Sequence, residues 1–293
     1  MVFGRPYEHR YIIPSGWYAV WQISTNIGLM AGALLCGWLQ DHIGRRWSLF
    51  ASSMIISVSV AICYVSDLPP SLEAKRGLFF FAKTVQGFGV GGMMCTTQTW
   101  LSEILPVPLR GPFMAFFPIF KLLGQLVGAL VCFSVIDSEE ASAYRLCFAT
   151  QWAFSGLLSM LAILLPESPT WLLRKGRDTA ASEAMLRLQG GRAGRSEVNK
   201  HAPSLSNGPH ADLSASQQAE IAFSRVRDAI ESERRESNIA HETYTDCFKQ
   251  PQLRRTLLVC FAEFLPVFFG LQLLGSASYF LQQIGMDAST SVM

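Results

Sequence analysis

Six stretches of this chain run for 19 to 29 residues with one charge or none, and they decide most of what it can become. Trp17–Leu39, Trp47–Val65 and Leu146–Leu165 carry no Asp, Glu, Lys or Arg. Gly77–Leu101, Phe113–Ile136 and Thr256–Ile284 carry one each: Lys83, Lys121 and Glu263. About 20 apolar residues in a helix cross the hydrocarbon core of a bilayer. In lipid only helices and closed barrels satisfy every backbone N–H and C=O. The expectation is an all-α integral membrane protein with about six transmembrane helices.

Charge is concentrated between the fifth and sixth stretches. Residues 166–255 hold 26 of the 46 charged residues, 14 basic and 12 acidic. Pro166–Gln189 opens with Pro-Glu-Ser-Pro and then reads as a helix with Ala180, Ala184 and Leu188 on one face. Residues 190–217 are rich in Gly, Ser, Asn and Pro and read as a flexible loop, and 219–236 as a second charged helix. Three regions follow: 1–165 with five spans, a linker at 166–255, and 256–293 with one span. Lys and Arg number 17 on the side of 40–46, 102–112 and 166–255, against five on the side of 1–16, 66–76 and 137–145. Positively charged loops stay in the cytoplasm, so the linker is expected there. The polar segment 1–14, which offers no signal-peptide core, then falls outside, and the reading calls for a further span ahead of it.

Several function classes drop out. A net charge of +2 with dispersed basic residues leaves no nucleic-acid footprint. Seven cysteines form no Cys-x-x-Cys pair, and six lie in apolar runs as small hydrophobes. All five histidines lie outside the spans, so no intramembrane His/Asp or Ser/His set points to an enzyme, and no metal or cofactor is expected.

Three motifs occupy one face of the membrane. Gly37-x-x-x-Asp41-His42-x-Gly44-Arg45-Arg46 joins the first two spans. Glu103-x-x-Pro106-x-x-x-Arg110-Gly111 follows the third. Pro166-Glu167-Ser168-Pro169-Thr170-Trp171, with Gly176-Arg177, follows the fifth. Each sets carboxylates and guanidiniums at the interface, where a network of ion pairs can hold helices together and release them. Gly28, Gly32, Gly87, Gly91, Gly92, Gly124 and Gly128 stud the spans and read as close-packing positions.

With these motifs in this order, the chain resembles the sugar porter branch of the major facilitator superfamily, and within it fungal maltose/α-glucoside:proton symporters. Supporting segments are Ser102–Gly111, Gly124-Gln125-Leu-Val, Asp246-Cys-Phe-Lys249 and Tyr279-Phe-Leu-Gln-Gln-Ile-Gly285. The resemblance implies a partial major facilitator fold whose six spans match family helices 2–7, as an incomplete copy. It implies proton-coupled transport of a sugar, an α-glucoside such as maltose or a hexose, by alternating access. The alternatives are a non-transporting sugar sensor of the same fold and a degenerate copy. Partners would be the lipid bilayer, a small sugar and protons, and the site a plasma membrane.

The resemblance also assigns residues. Gly37, Asp41, Gly44, Arg45, Arg46, Glu103, Arg110, Glu167 and Arg177 would form the cytoplasmic gate. Gln125 matches a sugar-binding Gln; apart from the resemblance, Gln22 and Trp21 are further candidates for sugar contact, Trp21 by ring stacking, a position that also suits an aromatic belt at the membrane interface. His42 and Thr170 stand where the family carries Arg, which weakens part of the gate. In the last span a gapless register puts Pro266 and Val267 at sugar-binding glutamines and leaves Gln272 a bystander. A charge at the bilayer centre costs roughly 2.5–3.5 kcal/mol on insertion scales, so Lys83, Lys121 and Glu263 are expected to line the transport path, Glu263 pairing with Lys83 or Lys121.

Overall fold

The structure, a computed structural model, describes residues 3–185 apart from 4, 8, 9, 13, 106 and 135–140. It further describes 187–188, 224, 226–228, 231–232, 249 and 252–268. The loop expected at 190–217, most of the helix expected at 219–236, and residues 269–293 lie outside the described residues.

The chain divides into two compact units, Met1–Leu123 with Glu139–Ile230, and Gly124–Ser138 with Glu231–Met293. The first holds α1 (Ser15–Ile43), α2 (Arg45–Val65), α3 (Leu72–Ile104), the start of α4 (Val107–Ser134), α5 (Ala141–Leu164) and α6 (Pro169–Arg174). Ahead of them Arg5–Tyr7 and Arg10–Ile12 pair as a small antiparallel hairpin, the one addition to the all-α expectation among the described residues. Of the second unit, the end of α4 and α7 (Leu253–Phe268) are described; α7 opens the sixth expected span. Five helices among the described residues are long and apolar enough to cross a membrane, at the positions expected.

Small residues set the packing of the first unit. A Cβ on Gly28 or Gly32 would lie 2.2 or 2.0 Å from the carbonyl oxygen of Thr84 or Phe88. A Cβ on Gly87 or Gly91 would lie 2.2 or 2.1 Å from that of Thr25 or Leu29. Thus α1 and α3 meet backbone to backbone, the close approach that glycines spaced by four allow in lipid. On its other side α3 receives α2, and α2 packs on α5 through hydroxyls. Ser53 Oγ lies 2.7 Å from Ser159 Oγ, and Ser57 donates to Ser155 Oγ at 3.0 Å. Large apolar side chains point away from the unit, among them Ile23, Ile27, Met30 and Leu34 of α1. A lipid-facing surface has this inverted pattern. Along α4, which contains Pro112 and Pro118, Phe116, Phe120, Leu122 and Leu126 are all exposed.

At the end of the unit near the α2–α3 connection, Phe3, Trp21, Cys63, Phe79 and Ala82 form an apolar cluster, with Trp17, Tyr144 and Phe148 against it. Arg76 is fully buried there; its Nε and Nη2 donate to the Phe3 carbonyl at 3.1 and 2.9 Å, and Nη1 pairs with Glu73 at 3.2 Å.

The single helix expected after Pro166 is broken. α6 stops at Arg174, Gly176 takes a left-handed φ of 72°, and helix resumes over 178–185. The Arg177 N–H bonds to Leu172 O and the Gly176 N–H to Leu173 O, both at 2.9 Å, closing the last carbonyls of α6. The two pieces then fold together, burying Trp171, Leu172 and Leu173 against Ala181 and Ala184.

Candidate functional site: a clasp around the start of α2

Gly44 links α1 to α2 with φ 109° and ψ 162°, a region of backbone space open to little but glycine. Its N–H closes α1 on Gln40 O at 3.1 Å. A Cβ here would also stand 2.7 Å from Glu167 Oε2. The turn therefore needs Gly for conformation and for space.

The start of α2 presents unbonded N–H groups and the positive end of the helix dipole. Glu167, arriving after α5, supplies the anion. Its Oε1 accepts from the N–H of Arg45 at 2.8 Å, of Arg46 at 3.2 Å and of Ser168 at 3.2 Å. The Arg45 side chain runs toward α3, where Nε and Nη2 hold the Glu103 carboxylate at 3.1 and 2.7 Å, a two-point grip. Its Nη1 donates to Gln40 O and pairs with Asp41 Oδ1, each at 3.0 Å. The Arg45 side chain is 3% exposed and Glu103 12%, whereas Asp41 is 61% exposed. The Arg45–Glu103 pair is thus sheltered from solvent and Asp41 is an outer contributor.

Three further residues complete the clasp. Ser168 Oγ donates to Glu103 and accepts from the Trp171 N–H, so one hydroxyl caps α6 and anchors it to α3. The Trp171 indole N–H donates to Asp41 O at 3.0 Å. Gln40 donates to Thr99 Oγ1 at 3.4 Å, and its own buried Oε1 has no hydrogen-bond partner among the described residues. Arg46 reaches back to the Ile163 carbonyl at the end of α5. The ends of α1, α3 and α5 and the starts of α2 and α6 are joined in one polar network. Ser168, Trp171 and Gln40 were not among the sequence candidates. Ser168 was legible as a cap, since Ser followed by Pro is a helix-start signature.

Other candidates fall elsewhere. Arg110 and Arg177 are exposed and stand apart from the clasp among the described residues. Gly37 lies half-buried one turn before Asp41. His42 is exposed and stacks on Trp38, with ring centroids 4.3 Å apart. Trp21 is 7% exposed inside the aromatic cluster, its indole N–H bonded to Arg76 O at 3.4 Å, so it is closed to a solute in this structure. Gln22 is exposed and donates to Tyr18 Oη at 3.3 Å. Gln125 and Lys121 are exposed on α4. Glu263 sits in α7, but its side chain lies outside the described residues, and so does its expected pairing. Lys83 is half-buried and donates to Gln86 Oε1 at 3.1 Å.

Comparison with known proteins agrees with this architecture. The family model described as "Sugar (and other) transporter" matches residues 14–293. The MFS transporter fmqE of Aspergillus fumigatus is 27% identical over 278 residues, covering 95% of this chain and 46% of that protein. Maltose permease MAL61 of Saccharomyces cerevisiae is 26% identical, covering 92% and 41%. The chain therefore spans less than half the length of these relatives. Among solved structures, the xylose transporter XylE of E. coli in a partially occluded inward-open conformation superposes with a TM-score of 0.60 at 21% identity, covering 75% of this chain and 51% of the other. Together the apolar helices, the clasp and the match along nearly the whole length place this chain in the sugar transporter family, as a multi-pass membrane protein rather than an enzyme.

Proposed function

We propose that this chain contributes to secondary active transport of a sugar, an α-glucoside or a hexose, driven by protons across a plasma membrane. The clasp is its cytoplasmic gate. The observation that carries this reading is the Arg45–Glu103–Ser168 and Glu167–α2 network. It joins five helix ends through polar contacts at one face, where the excess of Lys and Arg favours the cytoplasm. A gate of this kind closes one side of a carrier while its bonds hold, and opens when rocking helices separate them. Sugar relatives such as the maltose permease and the sugar-binding character of amides like Gln125 support the substrate class.

The test is uptake of radiolabelled maltose and glucose in yeast lacking its own carriers and expressing the gene. Accumulation abolished by a protonophore is expected. Binding of sugar without uptake points instead to a sensor, and neither binding nor uptake removes the proposal. In a transporting protein, Arg45→Met and Glu103→Leu each lower uptake while leaving sugar affinity in place.

A further inference from the structure

One polar cluster inside the membrane takes no part in the clasp. Lys83 and Gln86 lie on α3 and Gln151 on α5, all half-buried. The Lys83 ammonium donates to Gln86 Oε1 at 3.1 Å, and the Gln86 amide donates to Gln151 Oε1 at 3.2 Å. Chemistry fixes these directions, because an ammonium can only donate. It claims the oxygen of Gln86, whose NH2 then claims the oxygen of Gln151. Both amide oxygens are thereby engaged. The side-chain N–H hydrogens left unbonded among the described residues are two on Lys83, one on Gln86 and both on the NH2 of Gln151.

The surroundings reinforce that imbalance. Phe79 and Phe148 flank the ammonium, their ring centroids 5.5 and 5.9 Å from Nζ. Tyr144 packs on Phe148, but its hydroxyl is committed to Cys63 O and Ser66. No carboxylate pairs with Lys83 among the described residues. A cation at membrane depth is normally paired or turned to a functional site. Surplus donors and a positive charge between aromatic faces are complementary to an anionic oxygen acceptor.

We propose that Lys83, with Gln86 and Gln151, binds the carboxylate of an acidic sugar, the half-buried ring of Phe148 receiving the sugar's less polar surface. This rests on the reading of the chain as a sugar carrier and narrows its substrate class.

The test measures binding of D-glucuronate and of its methyl ester, one methyl group larger but uncharged, to the purified chain in nanodiscs by tryptophan fluorescence. Glucuronate is expected to bind at least about tenfold tighter than the ester. The preference disappears in Lys83→Gln and survives in Lys83→Arg, each variant first checked for unchanged helical circular dichroism. Equal binding of the two probes, no binding of either, or a preference that persists in Lys83→Gln overturns the proposal. No binding to the wild type with binding gained in Glu263→Gln also overturns it, since the chain's own carboxylate would then hold the site. Equal binding of both probes, or retained binding of maltose, leaves the broader sugar reading standing.

Discussion

Among its described residues the first unit contains two buried arginines, one near each end, and they are stabilised in different ways. Arg45 is gripped by Glu103, a carboxylate from another helix that is itself sheltered. Arg76 is more deeply buried, yet its charge is met by Glu73 on its own helix, 63% exposed, and by the backbone carbonyl of Phe3. Around Arg76 the contacts are aromatic: Phe3 packs on Phe79 with centroids 4.9 Å apart and on Trp21 at 5.6 Å. One end is thus bolted by a charge pair between α2 and α3, whereas the other combines apolar packing around a locally satisfied cation with an ion pair of its own, Arg145 to Asp67 at 3.1 Å. Directional bonds break over a small displacement, whereas apolar contact tolerates sliding. The two ends differ in how far their ion pairs are enclosed: Arg45 and Glu103 are 3% and 12% exposed, Arg145 and Asp67 37% and 10%.

The largest effect is expected at the bolt. Arg45→Met leaves Glu103 buried and unpaired, which costs about 3–5 kcal/mol, whereas adding Glu103→Leu removes the stranded charge. Thermal denaturation in detergent should show the double variant more stable than Arg45→Met alone; additive losses would mean the two residues act independently. Gly44→Ala comes next, since a strained backbone of this kind costs about 1–3 kcal/mol even before Glu167 is displaced. Arg76→Met strands the Phe3 carbonyl at a cost of about 1–3 kcal/mol, with no dependence on Glu103. A double-mutant cycle between Arg76 and Glu103 that departs clearly from additivity would break the division into two ends. Ser168→Ala removes a helix cap at about 1 kcal/mol, detected as earlier hydrogen exchange in α6. Asp41→Asn, at an exposed pair, should change stability by less than about 1 kcal/mol, and salt should erase the difference.

The sequence made the helices and the bolt visible for separate reasons. A bilayer core admits almost no charge, so the limits of the spans are written as gaps between charged residues. The Asp41–Arg46 motif fixes its own geometry through one glycine. Arg76, by contrast, counts in the sequence as a loop charge, and its burial depends on Phe3, a residue 73 positions away that no local pattern links to it. Trp21 looked like a sugar-stacking ring for the same reason: its partners come from elsewhere in the chain. Arg110 and Arg177 carry the right charge in the right motifs, but both are exposed and their side chains form no bond to the clasp among the described residues. The break at Gly176 was masked by helix-forming residues on both sides, although Gly-Arg after a short helix is a recognisable stop.

The cap on α2 also has a history in time. The backbone N–H of Arg45 is bonded to a carboxylate 122 residues further along the chain. At about 5–20 residues per second, synthesis of that interval takes about 6–24 s. The second helix therefore enters the membrane with its positive terminus bare, served by water or headgroup phosphates until Glu167 emerges. A nascent chain halted before that point has α1–α5 and no cap on α2. The contact that holds this end shut is consequently also a marker that translation has passed the last span of the first unit.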